Sequence, residues 1–183
     1  LHSCDYALKM KRVNLPCFSI CDYLLFPSKK KKTKNLFILL HGFGEKATTI
    51  VNHFQPLIKN DESIILSPNG PFPIPKKLNV ENKWDLNFAW YFFDKHQKKY
   101  YIGQEYPATF VEELVKFLNL NQLPITIIGF SQGGYLAPFL GNKLKTTTKV
   151  IGINCEFKPL LLPDKMSFSL YSINGENDLV VDP

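Results

Sequence analysis

The chain has 183 residues, a length that suits one domain with a substantial buried core. A hydrophobic fraction of 45% is that of a soluble globular protein and argues against wholesale disorder. The formal net charge of +6 is concentrated in Lys29-Lys30-Lys31-Lys32 and Lys34; with no arginine or aromatic residue interleaved, that run reads as a solvated turn, not a nucleic-acid or anionic-membrane patch.

In chain order, Leu1 to Lys9 lacks the apolar core of a signal peptide. Leu1-His2-Ser3-Cys4 has the letters of a lipoprotein signal end but no apolar segment before it. Met10-Lys11-Arg12 can serve as a start, which would leave the first nine residues extraneous. No run is long enough to span a bilayer, so a cytoplasmic protein without stable membrane insertion is expected. Cys4, Cys17, Cys21 and Cys155 show no metal-ligand spacing, and reduced thiols with no metal site are expected.

Phe18 to Phe26 reads as a strand. After the lysine turn, Leu36 to Leu40 is apolar on both faces, which marks a buried strand, and it ends at His41-Gly42-Phe43-Gly44. A helix follows, with Thr48 or Thr49 near its start and Phe54, Leu57 and Ile58 on its buried side. Ser63 to Leu66 is the next strand, closed by Pro68. A long connection rich in Pro, Asn and aromatics then runs from Asn69 to about Tyr101, and loops of that size are commonly functional. From Pro107 a helical stripe of Phe110, Val111, Leu114, Val115, Phe117 and Leu118 appears. Ile125 to Ile128 is a buried strand, Gly133 to Leu144 a helix, and Val150 to Asn154 and Ser169 to Ile173 are strands. Alternating strands and helices without repeats or linkers predict one domain over residues 1–183, a mostly parallel sheet with helices on both faces.

Gly129-Phe130-Ser131-Gln132-Gly133 fits G-x-S-x-G. The match alone is weak, but here it follows a strand and opens a helix, as a nucleophile elbow requires. Such a turn strains the serine backbone, and the flanking glycines leave room where a Cβ would clash. Acyl transfer at Ser131 also needs donors for an oxyanion. The N–H of Gln132 is one expected donor. The second is expected from the loop after the first buried strand, at Phe43. A carboxylate should follow a later strand, and Asp178 in Gly175-Glu176-Asn177-Asp178 fits the order, with Glu176 as the alternative. The histidine that this order places last is not found: His2, His41, His53 and His96 all precede Ser131. The expectation is an incomplete chain, lacking a last strand and helix and nearly inactive alone.

These segments resemble the phospholipase/carboxylesterase family, which includes the acyl-protein thioesterases. The resemblance rests on the elbow through Gly134, on Leu40-His41-Gly42-Phe43-Gly44-Glu45, on Ser67-Pro68-Asn69-Gly70-Pro71, on Ala89-Trp90-Tyr91 and on Gly175 to Val181. It implies an α/β-hydrolase fold and cofactor-free hydrolysis of carboxylic esters or thioesters through an acyl-serine. Ser131 and Asp178 would take the nucleophile and acid roles, and Phe43 and Gln132 the oxyanion roles. The acyl pocket is expected to draw on the aromatic stretch around Trp90, Tyr91 and Phe92, although core packing explains those aromatics almost as well. Glu45 replaces the family's usual aspartate. The expected partner is a small acyl ester or acylated substrate, not nucleic acid, and the oligomeric state stays open, a dimer included. The competing expectation is an inactive hydrolase-like protein that binds acylated ligands or a protein partner.

Overall fold

A computed structural model describes residues 20–58, 61–78, 83–94, 96–157, 162 and 166–176. Its frame is built from strands β1 (Tyr23–Phe26), β2 (Asn35–Leu40), β3 (Ser63–Pro68), β8 (Ile125–Phe130), β9 (Thr147–Ile153) and β10 (Ser169–Ile173). Between β3 and β8 in the chain lie four more, β4 (Phe72–Lys77), β5 (Trp84–Ala89), β6 (Phe92–Asp94) and β7 (Lys99–Ile102). The first six form one sheet in the order β1-β3-β2-β8-β9-β10. Only β1 runs antiparallel, against β3; every other pairing in that sheet is parallel.

Strand periodicity explains the two cores. On β2, Leu36, Ile38 and Leu40 point to one face, and Phe37 and Leu39 to the other. The first face packs under α2 (Glu105–Phe117) and α3 (Gln132–Lys143), where Val111, Val115, Leu136 and Leu140 are buried. The second lies under α1 (Ala47–Phe54), whose Ile50 and Val51 meet Leu39, Ile65 and Ile128. A strand apolar on both faces needs a helix on each side, which is why β2 reads as a continuous apolar run.

Two sequence expectations change. The connection from Asn69 to Tyr101 is two hairpins: β4 pairs with β5, and β6 with β7. Leu57 falls in a 3-10 turn after α1 and Phe117 on the last turn of α2; both are exposed. Thr48 and Thr49 lie in the first turn of α1, as expected, and neither caps it. Lys46 holds the cap position, and the Asn69 side chain, from another loop, accepts the Ala47 N–H at 2.8 Å. The lysine run does form a turn: the N–H groups of Lys29 and Lys30 donate to the Asp61 carbonyl, and Lys29 and Lys34 pair with Asp61 and Glu62. No described helix is long and apolar enough to cross a membrane.

Candidate active site

Because β2, β8, β9 and β10 are parallel, their carboxyl ends share one edge. The segments that leave that edge are 41–45, the bend at Ser131, the turn at Asn154 and the segment beginning at Asn174. Ligand sites of open α/β sheets form there because the chain is free to vary beyond the last ladder bond.

Ser131 sits between β8 and α3 with φ 48 and ψ -114. A left-handed φ at a residue with a Cβ costs on the order of 1–3 kcal/mol. Two backbone bonds hold it: the Ser131 N–H donates to the Ile153 carbonyl at 2.8 Å, and its carbonyl accepts the Tyr135 N–H at 3.1 Å. The bend is tight enough that only glycine fits beside it. A Cβ on Gly129 would stand 2.2 Å from the Gly133 carbonyl oxygen, and one on Gly133 would stand 2.3 Å from that of Leu40. Ser131 is half-buried, at the amino end of α3 where the helix dipole is positive.

The 41–45 loop turns back along β5. The Gly44 N–H donates to the Phe88 carbonyl and the Phe88 N–H to the Glu45 carbonyl, both at 2.9 Å. The Glu45 carboxylate accepts the Gly42 N–H at 2.9 Å. With their neighbours committed, the N–H groups of Phe43 and Gln132 have no acceptor among the described residues. The Phe43 ring is 57% exposed and meets Phe92 edge-on at 6.5 Å.

His41 is the strut of this loop. Its ring is fully buried, and Nε2 accepts the Gly70 N–H at 3.0 Å. The proton therefore sits on Nδ1, which donates to the Gly42 carbonyl at 2.7 Å. Burial lowers its pKa to about 4, partly opposed by the Gly42 hydrogen bond. The imidazole is neutral at pH 7, with both nitrogens occupied, and cannot act as a proton acceptor without breaking the loop. His53 and His96 are exposed, on α1 and in the β6–β7 turn.

Trp90 and Tyr91 are buried in the core under α2 and α3. The Trp90 ring stacks on His41 at 4.8 Å, and its indole N–H donates to the His41 carbonyl at 2.8 Å. Tyr91 packs against Tyr100. Of the two expectations for these rings, burial favours core packing: both brace the loops from behind. Sequence reasoning also missed the Gln132 side chain. Its Oε1 accepts the Trp90 N–H at 2.8 Å and its Nε2 donates to the Tyr91 carbonyl at 2.7 Å. Nothing in the pattern around a glutamine signals such a bridge to a segment some forty residues earlier.

A cavity of about 400 Å³ lies beside the bend on the α1 face, lined by Glu45, Ile50, His53, Phe54, Phe130 and Ile153. On the far side, β10 leads into Asn174, whose Oδ1 accepts the Cys155 N–H at 3.1 Å. Glu176 is exposed. Asp178 lies outside the described residues. Cys155 is buried behind α3, and burial pushes its thiol up to about 12.

A mostly parallel sheet with helices on both faces, and a strained serine turned out between a strand and a helix at its carboxyl edge, define an α/β-hydrolase fold. Residues 22–172 match the phospholipase/carboxylesterase family model, and the chain belongs to that family. No curated protein matches it. Among solved structures it is similar to a carboxylesterase from Mesorhizobium loti (20% identity, TM-score 0.52, covering 79% of this chain and 64% of that one). It is similar also to YahD with malic acid (17%, TM-score 0.51, 85% and 89%). A third is a thermostable carboxyl esterase from Bacillus coagulans in complex with glycerol (16%, TM-score 0.51, 74% and 40%). At these identities the likeness is one of fold.

Proposed function

We propose that the protein is a serine hydrolase that cleaves carboxylic ester or thioester bonds through an acyl-serine intermediate. The observation that carries this reading is the left-handed backbone of Ser131 where the 41–45 loop meets the start of α3, with the N–H groups of Phe43 and Gln132 lacking acceptors among the described residues. In the proposed reaction the Ser131 hydroxyl attacks the acyl carbon and loses its proton to a base. The carbonyl oxygen takes the negative charge and is held by the Phe43 and Gln132 N–H groups. Collapse expels the alcohol or thiol with a proton, and water then releases the acid and restores the serine. Asp178 is the proposed carboxylate that orients the base. β10, the strand that precedes it in the chain, lies two strands from β8 in the sheet, about 10 Å at ordinary strand spacing. Trp90, Tyr91 and His41 serve this site by holding its loops.

No histidine follows Ser131 in the sequence, and the described histidines are engaged or exposed. We therefore propose that these 183 residues alone turn over slower than a complete triad by on the order of 10⁴-fold or more. The same observation favours the second reading, a protein that binds acylated ligands without turnover. A fluorophosphonate probe tests the first: rapid labelling of the full natural protein, lost in Ser131→Ala, is expected. Equal labelling of both proteins would remove Ser131 from the mechanism. Absence of labelling together with tight binding of an acyl ligand would favour the second reading.

A further inference from the structure

The β4–β5 hairpin is inside out. Directly opposed residues of an antiparallel pair share a face, so Phe72, Ile74, Lys76, Asp85, Asn87 and Ala89 form one side and Pro73, Pro75, Lys77, Trp84, Leu86 and Phe88 the other. The first side is turned inward over most of its length: Ala89 is buried, Phe72 and Ile74 are half-buried and Lys46 pairs with Asp85, while Lys76 near the strand end is exposed. Apart from half-buried Phe88, the second faces solvent, where alternation would place polar residues. Instead Trp84 is 64% and Leu86 45% exposed, and both prolines are exposed. Leu78, next to the strand end, is exposed as well.

Among the described residues, the charge on this face has one sign. Lys77 lies on it and Lys83 adjoins it; both are exposed, and neither pairs with an acidic side chain among the described residues. The nearest described carboxylate on the hairpin, Asp85, points to the other side and is engaged by Lys46. A tryptophan and leucines beside unpaired lysines match the headgroup layer of an anionic bilayer. The indole sits at the polar–apolar boundary, aliphatic groups reach below it, and ammonium groups meet lipid phosphates. We propose that this outward hairpin face docks the protein reversibly on anionic lipid surfaces. The Lys29–Lys32 turn is a separate site at the opposite, amino-terminal end of β2, and its leading lysine is spent on Asp61. The dock is independent of the chemistry proposed for Ser131. Because Phe88 of the same hairpin pairs with Gly44 and Glu45, a bound surface lies within one strand length of the 41–45 loop.

Vesicle sedimentation tests this without any need for catalysis. Phosphatidylcholine vesicles with about one-third phosphatidylglycerol should bind the protein, pure phosphatidylcholine far less, and added salt should release it. Each lysine near such a surface contributes about a fivefold gain in partitioning, so Lys77→Glu/Lys83→Glu should lower binding by well over tenfold. Trp84→Ala/Leu86→Ala should lower it by roughly tenfold, with the fold checked by the near-ultraviolet dichroism of buried Trp90. In the wild type, Trp84 emission should shift to the blue on vesicles and be quenched by brominated lipid. Failure to bind anionic vesicles overturns the proposal. So does binding that survives both hairpin variants but is lost in Lys30→Glu/Lys31→Glu/Lys32→Glu, or bound protein whose Trp84 emission is unmoved.

Discussion

The Gln132 bridge makes a demanding test of how the site is held. In Gln132→Ala, the Trp90 N–H and Tyr91 carbonyl, both in a buried setting, lose their partners together. Each orphaned buried group costs about 1–3 kcal/mol, so the variant should lose about 3 kcal/mol once partial relaxation is allowed. For a chain of this size that is a fall of about 6–12 °C in Tm.

Gln132→Glu separates the donor from the acceptor. A carboxylate still accepts from Trp90 but faces the Tyr91 carbonyl with a second lone pair; only the protonated acid restores the donor. The folded state therefore favours the neutral form, and the pKa of the introduced carboxyl is raised above its unfolded value of about 4.3. Between those two values the folded state binds more protons than the unfolded one, so stability falls as pH rises through that window. The penalty of Gln132→Glu against wild type at the same pH should thus be smaller at pH 5 than at pH 7. His41, whose folded pKa is about 4, contributes the same pH dependence to both proteins and cancels from a difference taken at one pH. Urea unfolding of the three proteins at both pH values is the assay. A Gln132→Ala loss under about 1 kcal/mol, or a Gln132→Glu penalty independent of pH, would refute the bridge.

His41 carries the opposite sign. Its folded pKa of about 4 lies below the ordinary 6.5, so the unfolded state binds the extra proton between those values and stability falls as pH drops from 6.5 toward 4. The shift corresponds to roughly 3 kcal/mol at full development, and His41→Gln should abolish that part of the pH dependence measured by urea unfolding. The backbone of Ser131 predicts a divergence between stability and chemistry. Ser131→Gly should exceed Ser131→Ala in stability by about 1 kcal/mol, since only glycine is relieved of the left-handed φ, while both lose probe labelling; equal midpoints in thermal melts would mean that the bend stores no strain.

Much of the sheet was legible because parallel strands covered on both faces must be apolar throughout, as Leu36 to Leu40 and Ile125 to Ile128 are. The elbow was legible because close approach leaves no residue but glycine at positions 129 and 133. The hairpins were not. In β4 the prolines stand at alternate positions, 73 and 75, where the missing N–H groups point away from β5, so a Pro-rich strand looks like a loop. Counting every apolar residue of a helical pattern as buried failed for Leu57 and Phe117, because each stands where its helix is ending and turning away from the sheet. The bracing of the site was hidden too. His41, Gly70, Trp90 and Gln132 come from four separated stretches, and a composition window sees none of their bonds.

That bracing explains how a strained serine persists. Left alone, a cost of on the order of 1–3 kcal/mol at one residue would relax by shifting the amino end of α3 away from β2. Three contacts oppose the shift. The Ile153 carbonyl holds the Ser131 N–H from β9. The backbone of Gly133 lies against the Leu40 carbonyl so closely that no methyl group fits between them. The Gln132 amide clamps the first residue of α3 to Trp90 and Tyr91, and Trp90 in turn carries His41 and the loop of Phe43. Movement of the serine would therefore drag the Phe43 loop with it, since one buried glutamine ties both sides of the site to the same segment. The spacing between the Phe43 and Gln132 N–H groups is then set by the core, and the loops that carry them have little freedom to change it.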